Sequence, residues 1–339
     1  MRGFGPGVLT TALVLALTGT ACGAHHAAGG PALTLYSGQH AQTVQALVDK
    51  FTAQTGQAVH VRTDDEGILA NQILQEGSRS PADLYFAENS PPLEALQAKG
   101  LLAPVDPPTL AAVSSTDDSP QGDWVGVSAR AGALVYNTAR LTPGQLPGSV
   151  LDLANPAWKG KVGLAPSETD FQPIVAAVVK VDGQAAATSW LDGLKANATR
   201  YEDNESLVAA VNRGDVQVGI VNTYYWYRLR DEQGASAMHS ALAFFKPGDP
   251  GNLVDISGAA VLASSTHQAA AQRFLAFLVS APAQEIIATS ESYEYPIAAG
   301  VTTTKVATPL SGLAPPPLSV ADLGDGSGAL ALLQQVGLL

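Results

Sequence analysis

The sequence predicts an α/β protein of two lobes, each built on a mostly parallel sheet with helices on its faces. Segments with strand-like alternation and segments with helical periodicity follow one another in two series, which begin at Leu33 and near Ala133. The chain has 339 residues, enough for two domains, and 46% of them are hydrophobic, as in folded proteins. The net charge of −12 argues against nucleic acid and anionic membrane surfaces as partners.

The first series contains three strands and three helices. Apolar residues recur at helical spacing from Val44 to Phe51, and Gly56 follows where such a helix would end. Pro91 and Pro92 fit the first turn of a helix, where an N–H group is not needed. We expect strands at 33–37, 58–63 and 82–86, and helices over 44–51, over 67–75 and from residue 91 onwards.

The second series contains the candidate binding segment. Val216, Val218 and Ile220 alternate with polar or small residues, which is typical of a strand. Asn204 precedes a segment with apolar residues on one helical face, so we expect it to be the N-cap of a helix. The proline-rich segment 309–318 is expected to lie on the surface. Further elements are predicted at 161–164 for a strand and at 171–180, 185–194, 268–279 and 329–336 for helices.

The N-terminus has the pattern of an export signal. Arg2 precedes the apolar run Val8–Leu17, which is too short to span a bilayer as a mature helix. Small residues and then Cys22, the only cysteine, resemble a bacterial lipoprotein signal that is cleaved before a lipid-modified cysteine. We expect residues 1–21 to be removed, Cys22 to carry lipid and residues 22–32 to form a tether. A plain signal peptide with an incidental cysteine is the alternative.

Two adjacent tyrosines, Tyr224 and Tyr225, follow the strand that contains Ile220. Ligands of open α/β sheets bind at the carboxyl ends of strands, and His40 and Glu88 occupy such positions after the first and third strands. A cleft between two lobes would bring the four side chains together. Two phenolates and one carboxylate balance the charge of a ferric ion, and a neutral imidazole adds a fourth donor. Affinity should fall in acid, because the metal must displace the phenol protons.

Each of these residues also has an ordinary structural role open to it. His40 could cap the following helix or lie in a loop, and Glu88 could cap the helix that begins at Pro91. A pair of aromatic residues most often packs in a core. We expect Tyr227 to pack beside Trp226 rather than to bind a ligand.

Five segments of the chain resemble the ferric-iron-binding proteins of bacterial ABC importers, in the same order and over nearly all of the mature chain. They are Tyr36–His40, Gln75–Asp83, Val125–Arg130, Asn222–Trp226 and Ser257–Val261. The resemblance implies a two-lobed, type II periplasmic-binding-protein fold with crossover strands as its hinge. It also implies that the cleft holds Fe³⁺ through His40, Glu88, Tyr224 and Tyr225 and that an ABC permease receives the iron.

The resemblance further implies discontinuous lobes. We expect an N-terminal lobe of residues 33–132 and 255–303 and a C-terminal lobe of residues 133–254 and 304–339. The crossovers are expected near Ser128–Leu134 and Leu253–Gly258.

Members of this family also bind a synergistic anion, often phosphate or carbonate, at a helix N-terminus beside the iron. Asn204 and Asn222 match positions that contact it. Where phosphate-binding members have small residues, this chain has Glu168, Thr169 and Asp170. Two carboxylates there would repel phosphate. They could simply cap the helix, or one could take the place of the exogenous anion.

Two other functions stay open at this point. A related receptor for a small organic or anionic ligand, such as a phosphonate or a thiamine-like molecule, would use the tyrosines for stacking or hydrogen bonding. An extracytoplasmic hydrolase would need a catalytic motif, and the sequence contains no Gly-x-Ser-x-Gly, phosphate-binding loop or His-Glu-x-x-His. We therefore expect a binding protein rather than an enzyme, and a monomer.

Overall fold

The computed structural model describes residues 30–339. The strands are β1 (Leu33–Ser37), β2 (Val59–Thr63), β3 (Leu84–Ala87), β4 (Val125–Asn137), β5 (Val162–Leu164), β6 (Ala198–Arg200), β7 (Val218–Asn222), β8 (Ser240–Ala243), β9 (Val254–Val261) and β10 (Tyr295–Pro296). The α-helices are α1 (Ala41–Thr55), α2 (Glu66–Glu76), α3 (Ser90–Gln97), α4 (Pro107–Leu110), α5 (Phe171–Asp182), α6 (Gln184–Asn197), α7 (Asn204–Arg213), α8 (Thr223–Gln233), α9 (Gln268–Leu278), α10 (Ala281–Thr289), α11 (Val320–Leu323) and α12 (Ser327–Val336).

The strands pair in the order β2-β1-β3-β9-β4-β7-β5-β6, with β8 and β10 attached to β4. In one lobe β2, β1 and β3 are parallel, and β9 and β4 are antiparallel to their neighbours. In the other lobe β6, β5 and β7 are parallel and β4 is antiparallel to β7. This mixed α/β architecture with helices around the sheets confirms the predicted fold class.

Strand β4 belongs to both lobes. Its residues 125–131 pair with β9, and from Gly132 onwards it pairs with β7 and then β8. All thirteen of its residues are buried, because helices cover both faces of the sheet here. The chain thus passes from one group of paired strands to the other within β4, and β9 begins beside this point, at Val254.

The alternation of side chains along the strands explains how both faces of a sheet become core. Leu84 and Phe86 of β3 belong to the same apolar cluster as residues of α1 and α9, whereas Tyr85 and Ala87 cluster with residues of α2 and α3. Helix α1 ends at Gly56, whose φ of 72° gives the left-handed cap that glycine adopts without strain.

Two local predictions are wrong. Asn204 is the first residue of α7 and not its N-cap; that cap is Asp203, whose carboxylate accepts from the Ser206 N–H at 2.7 Å. Asp is as good a cap as Asn, and its position one residue earlier lets the carboxylate reach that N–H. The third strand also begins two residues later than expected, at Leu84. Within residues 30–339, every helix is too short or too polar to cross a lipid bilayer.

Candidate metal site

The four residues predicted as metal donors stand at the carboxyl ends of three strands. His40 follows β1 through the short segment Gly38–Gln39, and Glu88 directly follows β3. Tyr224 and Tyr225 occupy the first turn of α8, immediately after β7. A helical turn separates neighbouring side chains by about 100°, so both phenols can point into one cleft, which an extended chain would prevent.

The structure brings these side chains together between the lobes. The Nε2 atom of His40 lies 3.1 Å from Oε1 of Glu88. The His40 ring meets the Tyr224 ring edge-on, with 5.0 Å between centroids, and the two tyrosine rings are 4.1 Å apart. Tyr224 is 1% exposed and Tyr225 is 6% exposed. One imidazole nitrogen and one carboxylate from one lobe thus face two phenols from the other.

Neither the His40 side chain nor the Glu88 side chain caps a helix. His40 precedes α1 but makes no side-chain capping hydrogen bond, and the position before α3 is held by Asn89. Within residues 30–339, His40 Nε2 and Glu88 Oε1 are buried without a hydrogen-bond partner of good geometry. The two atoms lie 3.1 Å from each other, and Glu88 Oε1 lies 3.0 Å from Arg130 Nη1, so both are in ion-pair contact without a well-formed hydrogen bond. Because buried polar atoms are normally hydrogen-bonded, this arrangement leaves both atoms available to a ligand. His40 does lie in the loop between β1 and α1, but neither its side chain nor that of Glu88 caps the helix that follows.

Asp170 lies at the centre of the cleft. Its Oδ2 atom accepts hydrogen bonds from both phenol hydroxyls, Tyr224 and Tyr225, at 2.7 Å each. Its Oδ1 atom accepts from the side chains of Asn89 and Arg130, both at 3.3 Å. Asp170 precedes α5 but makes no side-chain capping bond to that helix. Its carboxylate is directed into the site.

Arg130 is the buried cation of the site, and its role was missed from the sequence. It is 1% exposed, and its Nη1 atom lies 3.0 Å from Glu88 Oε1 and 3.3 Å from Asp170 Oδ1. Its Nη2 atom contacts Glu294, which also accepts from Ser128 at 2.9 Å. An arginine in the middle of the apolar segment that forms β4 was the available signal, because a buried charge needs partners.

Glu294 was also missed, and no local pattern marks it. One donor atom each from His40, Glu88 and Glu294 lie within 4.8 Å of one another, close enough to share a metal ion. Glu294 is, however, already held by three other side chains, those of Gln39, Ser128 and Arg130.

Glu66, the first residue of α2, holds the backbone that carries Glu88. Its Oε2 accepts from the backbone N–H groups of Glu88 and Asn89, at 2.7 and 2.8 Å, and its Oε1 accepts from the Asn89 amide at 2.7 Å. Gly38 allows this approach, since a Cβ there would lie 2.4 Å from Glu66 Cβ. Burial raises the pKa of Glu66 to about 7, although the Asn89 hydrogen bonds oppose the shift.

Burial controls the protonation of the donors. It lowers the pKa of His40 well below its usual value, and the charges of Arg228 and Arg130 lower it further, so the imidazole is neutral. Burial, and then the Asp170 charge, raises the pKa of both tyrosines well above that of free phenol. Burial likewise raises the pKa of Glu88, against the opposing charge of Arg130.

The remaining predicted site residues divide into two groups. Asn204 and Asn222 are buried and line a small cavity together with Asp170, and the Asn204 amide favours the Tyr225 phenolate. Glu168 and Thr169 are partly exposed, and their side chains form no hydrogen bond with any residue in 30–339. The nearby Asp170 and Glu205 charges, after burial, raise the pKa of Glu168 to about 7. Cys22 lies outside the described residues.

The side chains that meet in this cleft are of the kind that hard cations prefer. Phenol, carboxylate and imidazole groups offer oxygen and nitrogen, and within residues 30–339 no thiol is present. Residues 79–315 match the family of bacterial extracellular solute-binding proteins.

The chain belongs to this family. It is 39% identical, over 94% of each chain, to the Fe(3+)-binding periplasmic protein of Serratia marcescens. It is 38% identical to the major ferric iron-binding protein of Neisseria meningitidis serogroup B, over 90% of this chain and 93% of that one. The structure of iron-bound HitA from Pseudomonas aeruginosa aligns over 90% of this chain and 99% of its own, with 44% identity and a TM-score of 0.87.

Proposed function

We propose that this chain binds ferric iron between its lobes and delivers it, on the outer side of the cytoplasmic membrane, to the permease of an ABC importer. The observation that carries the proposal is the convergence of His40 and Glu88 from one lobe with Tyr224 and Tyr225 from the other. Relatives named as ferric iron-binding proteins support it, and one structural neighbour contains iron.

The charges of the site suit a trivalent ion. Two phenolates and the Glu88 carboxylate carry three negative charges, and neutral His40 adds a donor without adding charge. Two guanidinium groups lie near the Tyr224 ring, Arg130 at 5.6 Å and Arg228 at 4.7 Å from its centroid. Their positive charge stabilises the phenolate that iron binding requires.

Iron binding also favours closure of the lobes. Asp170 comes from the lobe of the tyrosines, and its partners Asn89 and Arg130 come from the other lobe or the crossover strand. These contacts, like an ion bridging both lobes, exist only when the cleft is closed. A ligand with extra contacts in the closed form shifts the equilibrium toward it, and the permease would recognise that form.

In this proposal Cys22 carries a lipid anchor that keeps the protein at the membrane, with residues 22–32 as the tether, and the protein acts as a monomer without enzymatic activity. Cys22→Ser should move the protein from the membrane fraction to the soluble fraction of the host cell. Retention of the variant at the membrane would contradict lipidation at this cysteine.

A ferric titration followed by visible absorbance tests the proposal. Iron should produce a phenolate-to-iron charge-transfer band that saturates at one ion per chain. Tyr224→Phe and Tyr225→Phe should each weaken or abolish the band, because each removes one phenolate. Tyr227→Phe is the matched control: its hydroxyl lies on the same helix but accepts from the Ala307 N–H at 2.8 Å.

The confirmed packing of Tyr227 against Trp226, with 5.2 Å between ring centroids, predicts that this control keeps the full band. A wild-type protein that gives no band with iron, or a band that survives both Tyr224→Phe and Tyr225→Phe, would contradict the proposal and favour a receptor for an organic or anionic ligand.

A further inference from the structure

Helix α8 does more than carry the two tyrosines of the candidate metal site. Its first turn holds Tyr224 and Tyr225, and its later turns contact the segment 290–294, which connects α10 to β10. Helix α8 packs on β7 and β8, whereas α10 packs on α1 and α9, and β10 pairs with β4 at residues 128–129. The contact between α8 and this segment therefore joins the two lobes.

Tyr293 is the residue of this segment that reaches furthest into α8. Its hydroxyl donates a hydrogen bond to the Asp231 carboxylate. Its ring stacks on the ring of Tyr227, with 5.4 Å between centroids and 18° between planes. The ammonium group of Lys305 lies 4.5 Å from the centroid of the Tyr293 ring. We call the three residues Tyr227, Asp231 and Tyr293 the interlobe latch.

A neighbouring hydrogen bond shows that the interlobe latch lies on the cleft side of the crossover strands. The Nε atom of Arg228 donates to the Glu291 carbonyl at 3.2 Å, and the same guanidinium lies 4.7 Å from the centroid of the Tyr224 ring. Contacts on the cleft side of a hinge separate when the two lobes move apart. The interactions of the latch therefore belong to the closed form.

The backbone of Tyr293 has an uncommon conformation. Within residues 30–339 it is the only residue other than glycine with a positive φ, which is 56°. This left-handed region is unfavourable for a bulky residue, and it persists only where the surrounding contacts hold it. The turn directs two consecutive side chains to different places: Tyr293 reaches α8, whereas the Glu294 carboxylate accepts from Ser128 and contacts Arg130.

From this geometry we infer that the interlobe latch of Tyr227, Asp231 and Tyr293 holds the lobes closed and so slows the loss of bound iron. The inference rests on the proposed ferric function, but none of the three residues is a predicted iron donor. Iron leaves through the open form, so its rate of loss follows the population of that form. Removal of a contact that exists only in the closed form raises this population and leaves the coordination of the ion unchanged.

The rate of iron loss to an excess of chelator tests the inference. Iron-loaded protein is mixed with the chelator, and the decay of the phenolate-to-iron band is followed. Tyr293→Phe keeps the ring and removes a hydrogen bond to a charged group, so iron loss should be about tenfold faster than in wild type. Asp231→Ala removes the same bond from the other side and should have a similar effect. The band position should not change in either variant, because neither residue is a donor to the ion.

A variant with both substitutions, Tyr293→Phe and Asp231→Ala, separates the interlobe latch from two independent effects. If the two residues act through one hydrogen bond, the double variant should lose iron about as fast as each single variant, because residues that share a contact are not additive. Iron loss at the wild-type rate in Tyr293→Phe would overturn the inference, as would multiplication of the two single effects in the double variant.

Tyr36→Phe and Glu232→Ala are the matched controls. The Tyr36 hydroxyl accepts from the Gln72 amide at 3.2 Å within one lobe, so its removal should not alter lobe opening. Glu232 follows Asp231 on α8 and is exposed, and its side chain forms no hydrogen bond with any residue in the described range 30–339. Both controls should lose iron at the wild-type rate.

Small-angle X-ray scattering of the metal-free proteins gives a readout that needs no iron. Tyr293→Phe should have a larger radius of gyration than wild type, because more molecules are open, and Tyr36→Phe should equal wild type. Absence of a charge-transfer band in wild type would contradict the ferric function and not the interlobe latch. The scattering comparison would then decide on the latch alone, and equal radii for wild type and Tyr293→Phe would overturn it.

Discussion

A change of pH should alter ferric affinity steeply, because two buried phenols must lose their protons to bind the ion. Burial, and then the charge of Asp170, raises the pKa of Tyr224 and Tyr225 well above the usual value of about 10. Both are therefore protonated in the metal-free protein at neutral pH. Each bound ion must then release at least two protons, whereas His40 releases none because burial keeps its imidazole neutral.

The magnitude follows from proton linkage. When binding releases two protons, affinity rises about a hundredfold for each unit of pH, or by about 2.7 kcal/mol. Because ion binding releases protons, ferric affinity falls as the solution becomes acidic. Burial raises the pKa of Glu88 as well, so a third proton adds to the slope at pH values where this carboxyl is protonated.

Competition against a chelator of known protonation behaviour measures the slope, and a weakly buffered titration counts the released protons directly. Tyr225→Phe should lower the slope by one proton per ion. His40→Gln should lower affinity without changing the slope. Release of fewer than one proton per ion by wild type, or an unchanged slope in Tyr225→Phe, would refute the idea that buried neutral phenols become the ligands.

Three further predictions concern stability of the metal-free protein. Burial raises the pKa of Glu66 from 4.5 to about 7. As pH rises through this range, the unfolding free energy of wild type should therefore fall by about 3 kcal/mol relative to that of Glu66→Gln, as measured by urea denaturation. Parallel stability–pH profiles of the two proteins would contradict this prediction. Arg130→Met should cost about 3–5 kcal/mol in the same assay, because it leaves buried carboxylates without their cation. Gly258→Ala places a Cβ 2.8 Å from the Trp124 ring and should cost about 1–3 kcal/mol of stability, whereas the exposed control Gly144→Ala should leave the melting temperature nearly unchanged.

Much of the site could be predicted because its residues follow a positional rule. His40, Glu88 and the tyrosine pair each come within three residues of the end of a strand, and the carboxyl ends of strands in an α/β lobe meet at one edge. The order of strands and helices is set by local apolar periodicity, so the fold class was accessible too. The iron-binding role of these residues stays a prediction until the titrations are done.

The sequence could not distinguish Asp170 from its neighbours. Glu168 and Asp170 have similar chemistry and lie two residues apart before the same helix, yet only Asp170 faces the phenols. The turn of the backbone before α5 decides which carboxylate enters the cleft, and no periodicity describes that turn. The cap of α7 was misplaced for a similar reason, since Asp203 and Asn204 are equally good capping residues by type.

The alternation of strands and helices, the pattern of an export signal and the four candidate donors could be identified from the amino-acid sequence, because these depend on residues close together in the chain. The folded structure was needed to show that Arg130 and Glu294, which are 164 residues apart, are in contact behind the site, and that Asp170 accepts hydrogen bonds from the two tyrosines. Contacts across the cleft depend on how the two lobes pack around the strands they share. A buried charge is unfavourable without an opposite charge beside it, and which charged residues are neighbours depends on that packing.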